Sequence, residues 1–175
     1  MSVEVVYETH ATSEDNEAGI ATGWLPGRLS AQGREQAREL GERRRDDGIS
    51  VVLTSDLRRA VETAEIAFAG SEVPIAQDSR LRECDYGELN GTASPIDDRA
   101  AQLDVPYQGG ESWRQAVERV TAFLDDLRRD RDGERVLVID HVATRLALEE
   151  VANGRDLEEL IREPFAWQPG WEYAL

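Results

Sequence analysis

The sequence predicts an α/β protein, a three-layer α/β/α sandwich around a mostly parallel sheet. Three observations carry that expectation. Strand-like and helix-like segments alternate along the chain. The strand-like segments SVEVVYE (2–8), ISVVLT (49–54) and RVLVID (135–140) contain continuous apolar runs, the pattern of strands covered on both faces. The segments between them repeat apolar residues at helical spacing, which places helices against the sheet.

Residues 2–8 form the first predicted strand. About twenty residues follow, to Leu29, with Gly19, Gly23, Pro26 and Gly27, and read as one long loop. Loops of that length in compact domains usually carry function. Ser30 is the expected N-cap of a polar helix that runs to about Asp47 and stops at Gly48. After the second strand, Ser55 and Asp56 are expected to cap a helix with Leu57, Ala60, Val61, Ala64, Ala67 and Phe68 at helical spacing, closed by Gly70. VPIAQD (73–78) predicts a shorter strand. Residues 83–110 are rich in loop formers, with a short helix expected near 95–103. Ser112 and Gln115 form a capping box for a helix to about Arg129, with Ala116, Val117, Val120, Leu124 and Leu127 on one face. The strand 135–140 precedes a helix over 143–152 that ends at Asn153-Gly154. A short helix near 156–162 and a strand near 171–174 complete the chain. No repeat, linker or low-complexity tract interrupts it, so one domain is expected over 1–175.

Composition narrows the function. The chain has 175 residues, 40% of them apolar, and no apolar run of membrane-spanning length. The formal charge of −16 repels phosphate backbones, which argues against nucleic acid as a partner. All twenty basic residues are arginines. An anionic substrate would need a local basic pocket, and arginine suits forked recognition of phosphate. Cys84 is the single cysteine, so no internal disulfide forms; with no leader visible, a cytoplasmic location is expected.

The chain has two histidines, and each ends a predicted strand: His10 in VEVVYETHAT and His141 in RVLVIDHVAT. Ligands in such sheets bind at the carboxyl ends of the strands, so the two imidazoles are expected over one crevice. They suggest a nucleophile, an acid/base pair or a metal site. In extended chain Glu8 shares a face with His10 while Asp140 points away from His141, and no recognised metal-ligand spacing is present. No metal is therefore expected. Arg58 and Arg59 stand at a helix start, a position that the helix dipole disfavours for a cation unless it serves a ligand. Glu83, inside Arg80-Leu81-Arg82-Glu83-Cys84-Asp85-Tyr86-Gly87, is a candidate proton donor with a pKa raised by partial burial.

Six motifs together resemble the histidine phosphatase superfamily, the phosphoglycerate mutase-like phosphatases. They are Thr9-His10-Ala11-Thr12 with Asn16, then Leu29-Ser30-Ala31-Gln32-Gly33 through Gln36-Ala37, and Ser55-Asp56-Leu57-Arg58-Arg59-Ala60 through Thr63-Ala64. Arg80-Leu81-Arg82-Glu83 through Gly87 to Gly91, Gly109-Gly110-Glu111-Ser112 and Asp140-His141-Val142 complete the series in the family's order. The resemblance implies a phosphomonoester hydrolase acting on a small phosphorylated metabolite with no cofactor. It implies that His10 takes the phosphoryl group as a phosphohistidine and that Arg59 clamps the phosphate. His141 would stabilise charge on the transferring group, Glu83 would protonate the leaving alcohol, and Asn16 would add a phosphate contact. Mutase activity is the less expected outcome, since the rim over residues 92–110 is small.

The sequence departs from the family pattern beside the nucleophile. Where the family has Arg-His-Gly, this chain has Thr9-His10-Ala11, and Thr9 cannot make a forked phosphate contact. Loss of one such donor costs roughly 10²–10³ in rate if nothing replaces it. Arg28, Arg58, Arg82 and Arg145 are the candidate replacements, Arg28 foremost because it lies in the long loop near Thr22 and Gly23. The alternative function is a catalytically impaired relative that binds a phosphorylated ligand. Phe165, Trp167, Trp171 and Tyr173 are expected to cover one end of the core, or else to form a homodimer contact or a pocket wall. Trp24 either stacks on substrate or pins the loop, and Arg43 through Asp47 reads as a solvated helix end.

Overall fold

A computed structural model describes residues 2–93 and 98–175. Its strands are β1 (Glu4–Thr9), β2 (Val51–Thr54), β3 (Ile75–Gln77), β4 (Arg135–Asp140) and β5 (Trp171–Ala174). Its α-helices are α1 (Glu14–Ala18), α2 (Ala31–Arg44), α3 (Arg58–Ala67), α4 (Trp113–Asp130), α5 (Val142–Asn153) and α6 (Leu157–Leu160). The strand order is β3-β2-β4-β1-β5. The first four run parallel, and β5 pairs antiparallel with β1 at the edge.

The apolar runs sort by strand alternation. Val6, Val52, Leu137 and Ile139 face Leu40 of α2 and Ala64, Ala67 and Phe68 at α3. Val5, Tyr7, Val136 and Val138 face α4 and α5 through Val117, Val120, Leu124, Leu146 and Ala147. The two central strands, β1 and β4, are thus covered on both sides, and each fully buried Val or Leu contributes roughly 1.5–3 kcal/mol. Among the described residues no helix is long and apolar enough to cross a membrane.

The expected capping box of α4 is present, with the Ser112 hydroxyl accepting from Gln115 N at 3.2 Å and the Gln115 side chain accepting from Ser112 N at 2.9 Å. Two expectations change. The long loop contains α1, started by a capping box between Ser13 and Asn16 and ended by Gly19 at φ 67°. The third helix starts without a side-chain cap, with Leu57 at the N-cap position, because Ser55 and Asp56 bond elsewhere. Of the helix expected near 95–103, residues 95–97 lie outside the described residues. Arg99–Gln102 form a 3₁₀ turn.

Helix α2 approaches α3 closely at Gly41, where an added Cβ would lie 2.2 Å from the Ala67 carbonyl oxygen. Helix propensity alone favours Ala over Gly by about 1 kcal/mol, but overpacking costs roughly 1–3 kcal/mol. We expect Gly41→Ala to lower the thermal unfolding midpoint. A raised midpoint would mean that the two helices separate freely there.

Candidate active site

The β1–β4 register pairs Thr9 with Asp140, and His10 N donates to the Asp140 carbonyl at 3.0 Å. Both histidines therefore leave the sheet at the same level, with ring centroids 5.1 Å apart. They line one cleft of about 600 Å³ with Thr9, Asn16, Thr22, Gly23, Arg59 and Glu83.

His10 Nδ1 lies 2.8 Å from the Ala11 carbonyl oxygen. A carbonyl only accepts, so Nδ1 carries the proton and Nε2 keeps the ring's lone pair. Burial, and next the positive charge of Arg59, lower its pKa to about 3. The turn after His10 is fixed by two side chains, with Ala11 N donating to Thr63 Oγ1 at 3.0 Å and Thr12 N to Gln36 Oε1 at 3.0 Å.

His141 is buried and has a different set of contacts. Its Nε2 lies 2.7 Å from Ser55 Oγ and 3.2 Å from Asp140 Oδ1. Leu57 N donates to that same Ser55 oxygen at 3.3 Å. His141 Nδ1 has no hydrogen-bond partner among the described residues. Burial, then Arg59 and His10, hold its pKa well below the ordinary value. Below it, Asp140 accepts from Thr144 Oγ1 at 2.5 Å and from Ser55 N at 3.3 Å, and burial pushes its carboxyl up. Alternation along a strand predicts Asp140 on the face away from His141. The contact forms because β4 ends at Asp140 and the chain turns into α5.

Arg59 is buried, and its Nη2 and Nη1 donate to the loop carbonyls of Gly23 at 2.9 Å and Leu25 at 3.3 Å. Arg58, one residue earlier, points outward toward Glu62 at 3.7 Å. The Glu83 carboxylate sits at the start of α5. Its Oε1 accepts from Cys84 N and Ala143 N, and its Oε2 from Val142 N, at 3.0–3.2 Å. Trp24 pins this loop, with its indole N–H donating to the Glu83 carbonyl at 2.6 Å.

The remaining expected site residues are placed as follows. Asn16 holds the Ser13 backbone N–H at 2.9 Å while lining the cleft, and the Thr22 hydroxyl donates to Asp15 at 2.8 Å. Gly23 has φ 55°, and a Cβ there would lie 1.8 Å from Asn90 Oδ1, so the loop closes on a glycine. Arg28 is a correction. It does not line the cleft; its guanidinium is 70% exposed and pairs with Glu14 at 2.7 Å. The other three proposed replacements are absent from the cleft as well. Arg82 grips Asp56 and lies on the Trp24 ring, Arg145 lies on the Trp171 ring, and Arg58 faces Glu62.

Sequence reasoning missed other residues of the cleft. Arg43 and Arg44 are not a solvated helix end, since they reach buried Glu8 at 3.1 and 2.8 Å, and Arg43 lines the cleft. Arg99 and Tyr86 line it too. Of the aromatic tail, Phe165 and Trp167 follow the pocket-wall alternative and stay 41% and 61% exposed at the cleft, while Trp171 and Tyr173 pack on β1 and into the core as first expected. Among the described residues no cluster of His, Cys, Asp and Glu has the arrangement of a metal site.

Two imidazoles at the strand exits, a buried arginine and a carboxylate thus meet in one cleft of an α/β fold, a set suited to phosphoryl transfer. The chain belongs to the histidine phosphatase superfamily, whose branch 1 family model matches residues 9–167. It is 34% identical over 156 residues to a 2,3-bisphosphoglycerate-dependent phosphoglycerate mutase of Parvibaculum lavamentivorans, covering 78% of this chain and 73% of that one. It is 30% identical over 168 residues to phosphoserine phosphatase 1 of Hydrogenobacter thermophilus, covering 90% and 79%. Among solved structures, Bacillus stearothermophilus YhfR superposes with a TM-score of 0.84 at 26% identity, covering 95% and 88%.

Burial holds both imidazoles neutral in the folded chain, whereas in the unfolded chain they protonate near about 6.5. The unfolded state therefore binds more protons below that value, and the histidine contribution to stability falls as the pH drops from there toward the His10 value of about 3. In an NMR titration of the folded, ligand-free protein, neither histidine is expected to take up a proton as the pH passes through about 6.5. A titration midpoint there for either ring would contradict this.

Proposed function

We propose that the protein hydrolyses a small phosphomonoester through a phosphohistidine on His10, without a metal or organic cofactor. The observation that carries this is the His10 tautomer. His10 Nδ1–H donates to the Ala11 carbonyl, so the neutral ring keeps its Nε2 lone pair, in a cleft shared with Arg59 and His141. Nε2 attacks phosphorus in line with the leaving oxygen, and the P–O bond to the alcohol breaks as the N–P bond forms. Such transfer is governed by positioning and charge stabilisation. Arg59 and His141 Nδ1 stabilise the equatorial oxygens. Glu83 Oε2, with one backbone donor, keeps an acceptor position for the proton it gives to the leaving oxygen. In the second half Glu83 takes a proton from water, which attacks the phosphohistidine and frees phosphate. Asn16 adds an amide contact to the phosphoryl group, and Thr9 a hydroxyl.

A second reading, a ligand-binding relative without turnover, is favoured by one observation. Thr9 removes the family's arginine, and none of Arg28, Arg58, Arg82 and Arg145 enters the cleft. Retention of His10, Arg59, Glu83 and His141 together favours turnover.

We expect phosphate release from a phosphomonoester panel in EDTA by the wild type, and a loss of at least about 10³-fold in His10→Ala, the scale on which removing a nucleophile acts. Thermal stabilisation by phosphate with no release from any substrate would select the binding reading instead.

A further inference from the structure

The mechanism above leaves the buried Asp140 without a role. We propose that Asp140 is a positioning residue that makes His141 a cation beside Arg59 when a phosphoryl dianion binds, offsetting the charge lost at Thr9. The inference rests on reading the cleft as a phosphate site.

Its basis is the arrangement beneath the cleft. Asp140 Oδ1 stands 3.2 Å from His141 Nε2, both side chains are fully buried, and Ser55 Oγ lies 2.7 Å from the same nitrogen. The ring's other nitrogen, Nδ1, has no partner among the described residues and is the polar atom that His141 can offer a ligand. The partners of Asp140, Thr144 Oγ1 and Ser55 N, both donate to it, and it directly precedes the start of α5, where negative charge is favoured. Those groups are suited to holding a carboxylate.

At rest, burial favours the neutral pair, and two cations reinforce it. Arg59 from α3 and Arg119 from α4 both oppose an imidazolium at position 141. Around the pair, β1 contributes Tyr7, the turn after it His10, and the loop before α4 Glu83. A phosphoryl dianion against Nδ1 reverses the balance. The Asp140 Oδ1–H bond breaks and the His141 Nε2–H bond forms, leaving a carboxylate and an imidazolium. No proton enters or leaves the site. The Ser55 hydroxyl, which donated to Nε2, turns to accept from it. Positive charge now faces the phosphoryl group, and negative charge lies one residue deeper, held by Ser55 and Thr144.

The test uses the full chain with ¹⁵N-labelled histidine, whose spectrum contains two imidazoles only, and inorganic phosphate as the probe. With phosphate bound at neutral pH, His141 of the wild type is expected to show both ring nitrogens as imidazolium, having been neutral without it. Asp140→Asn keeps the side-chain shape and can donate to Nε2, but it has no proton to give. Its His141 should stay neutral, and phosphate should bind roughly 10- to 100-fold more weakly, the scale of one hydrogen bond to a charged group. Adding Thr9→Arg should shrink that loss. A neutral His141 in the saturated wild-type complex overturns the inference and leaves the phosphate site standing. So does an imidazolium at His141 in Asp140→Asn. No phosphate binding by the wild type overturns the phosphate site, and this inference with it. If Asp140→Asn fails to fold, calorimetry of phosphate binding to the wild type in buffers of different ionisation enthalpy decides: an imidazolium formed without proton uptake supports the internal transfer, and uptake of a proton from the buffer overturns it.

Discussion

The parallel ladder between β1 and β4 sets the rest of the site. Each strand ends in a polar residue followed by histidine, and the pairing of Thr9 with Asp140 brings those ends level. Side chains alternate along a strand, so a slip of one residue would exchange the two buried faces, and the packing of Val5 and Val136 on one face and of Val6 and Leu137 on the other holds the register. The Tyr7 hydroxyl adds a tie across the ladder, donating to the His141 carbonyl at 2.7 Å. Two imidazoles 5.1 Å apart are the consequence, and the long loop and the start of α5 bring Arg59 and Glu83 to them.

Charge is the second constraint. The chain carries −16, yet its proposed ligand is an anion. The cleft does not solve this with an excess of arginine. Arg43 is shared with buried Glu8, which Arg44 also holds, and a buried carboxylate without those partners would cost several kcal/mol. Arg59 is buried within the cleft and anchored on backbone carbonyls, and among the described residues no carboxylate pairs with it directly. With Thr9 in place of an arginine, the histidines are left with one buried guanidinium, Arg59, and a buried carboxyl beneath His141, while Arg43 and Arg99 line the rest of the cleft. Removing positive charge beside His10 also makes its lone pair a better nucleophile, an effect that works against the loss of phosphate grip.

The sequence made much of this legible, for identifiable reasons. Continuous apolar runs revealed the central strands because burial on both faces leaves no alternation to confuse them. The Ser112–Gln115 box marked α4 because capping is local chemistry. Helix α1 escaped notice, since four polar residues and an alanine, none of them buried, carry no periodic signal. Arg28 looked right from its place in the loop, but position along a chain does not give direction, and Glu14 is the nearer partner. Arg43 and Arg44 looked like a solvated run because the carboxylate they hold, Glu8, is distant in sequence. Asp140 was assigned to the wrong face because alternation stops where a strand does. The four residues carrying the family motifs, His10, Arg59, Glu83 and His141, all line the cleft.

The central claim is that His10 carries the phosphoryl group. The direct test is to mix the wild-type protein with a substrate that turns over, quench in alkali, where phosphohistidine survives, and map the modified residue by mass spectrometry. A phosphoryl group on His10, present during turnover and absent after substrate is exhausted, is the predicted result. Turnover with no phosphoryl group on His10, or with one on another residue, would contradict the account.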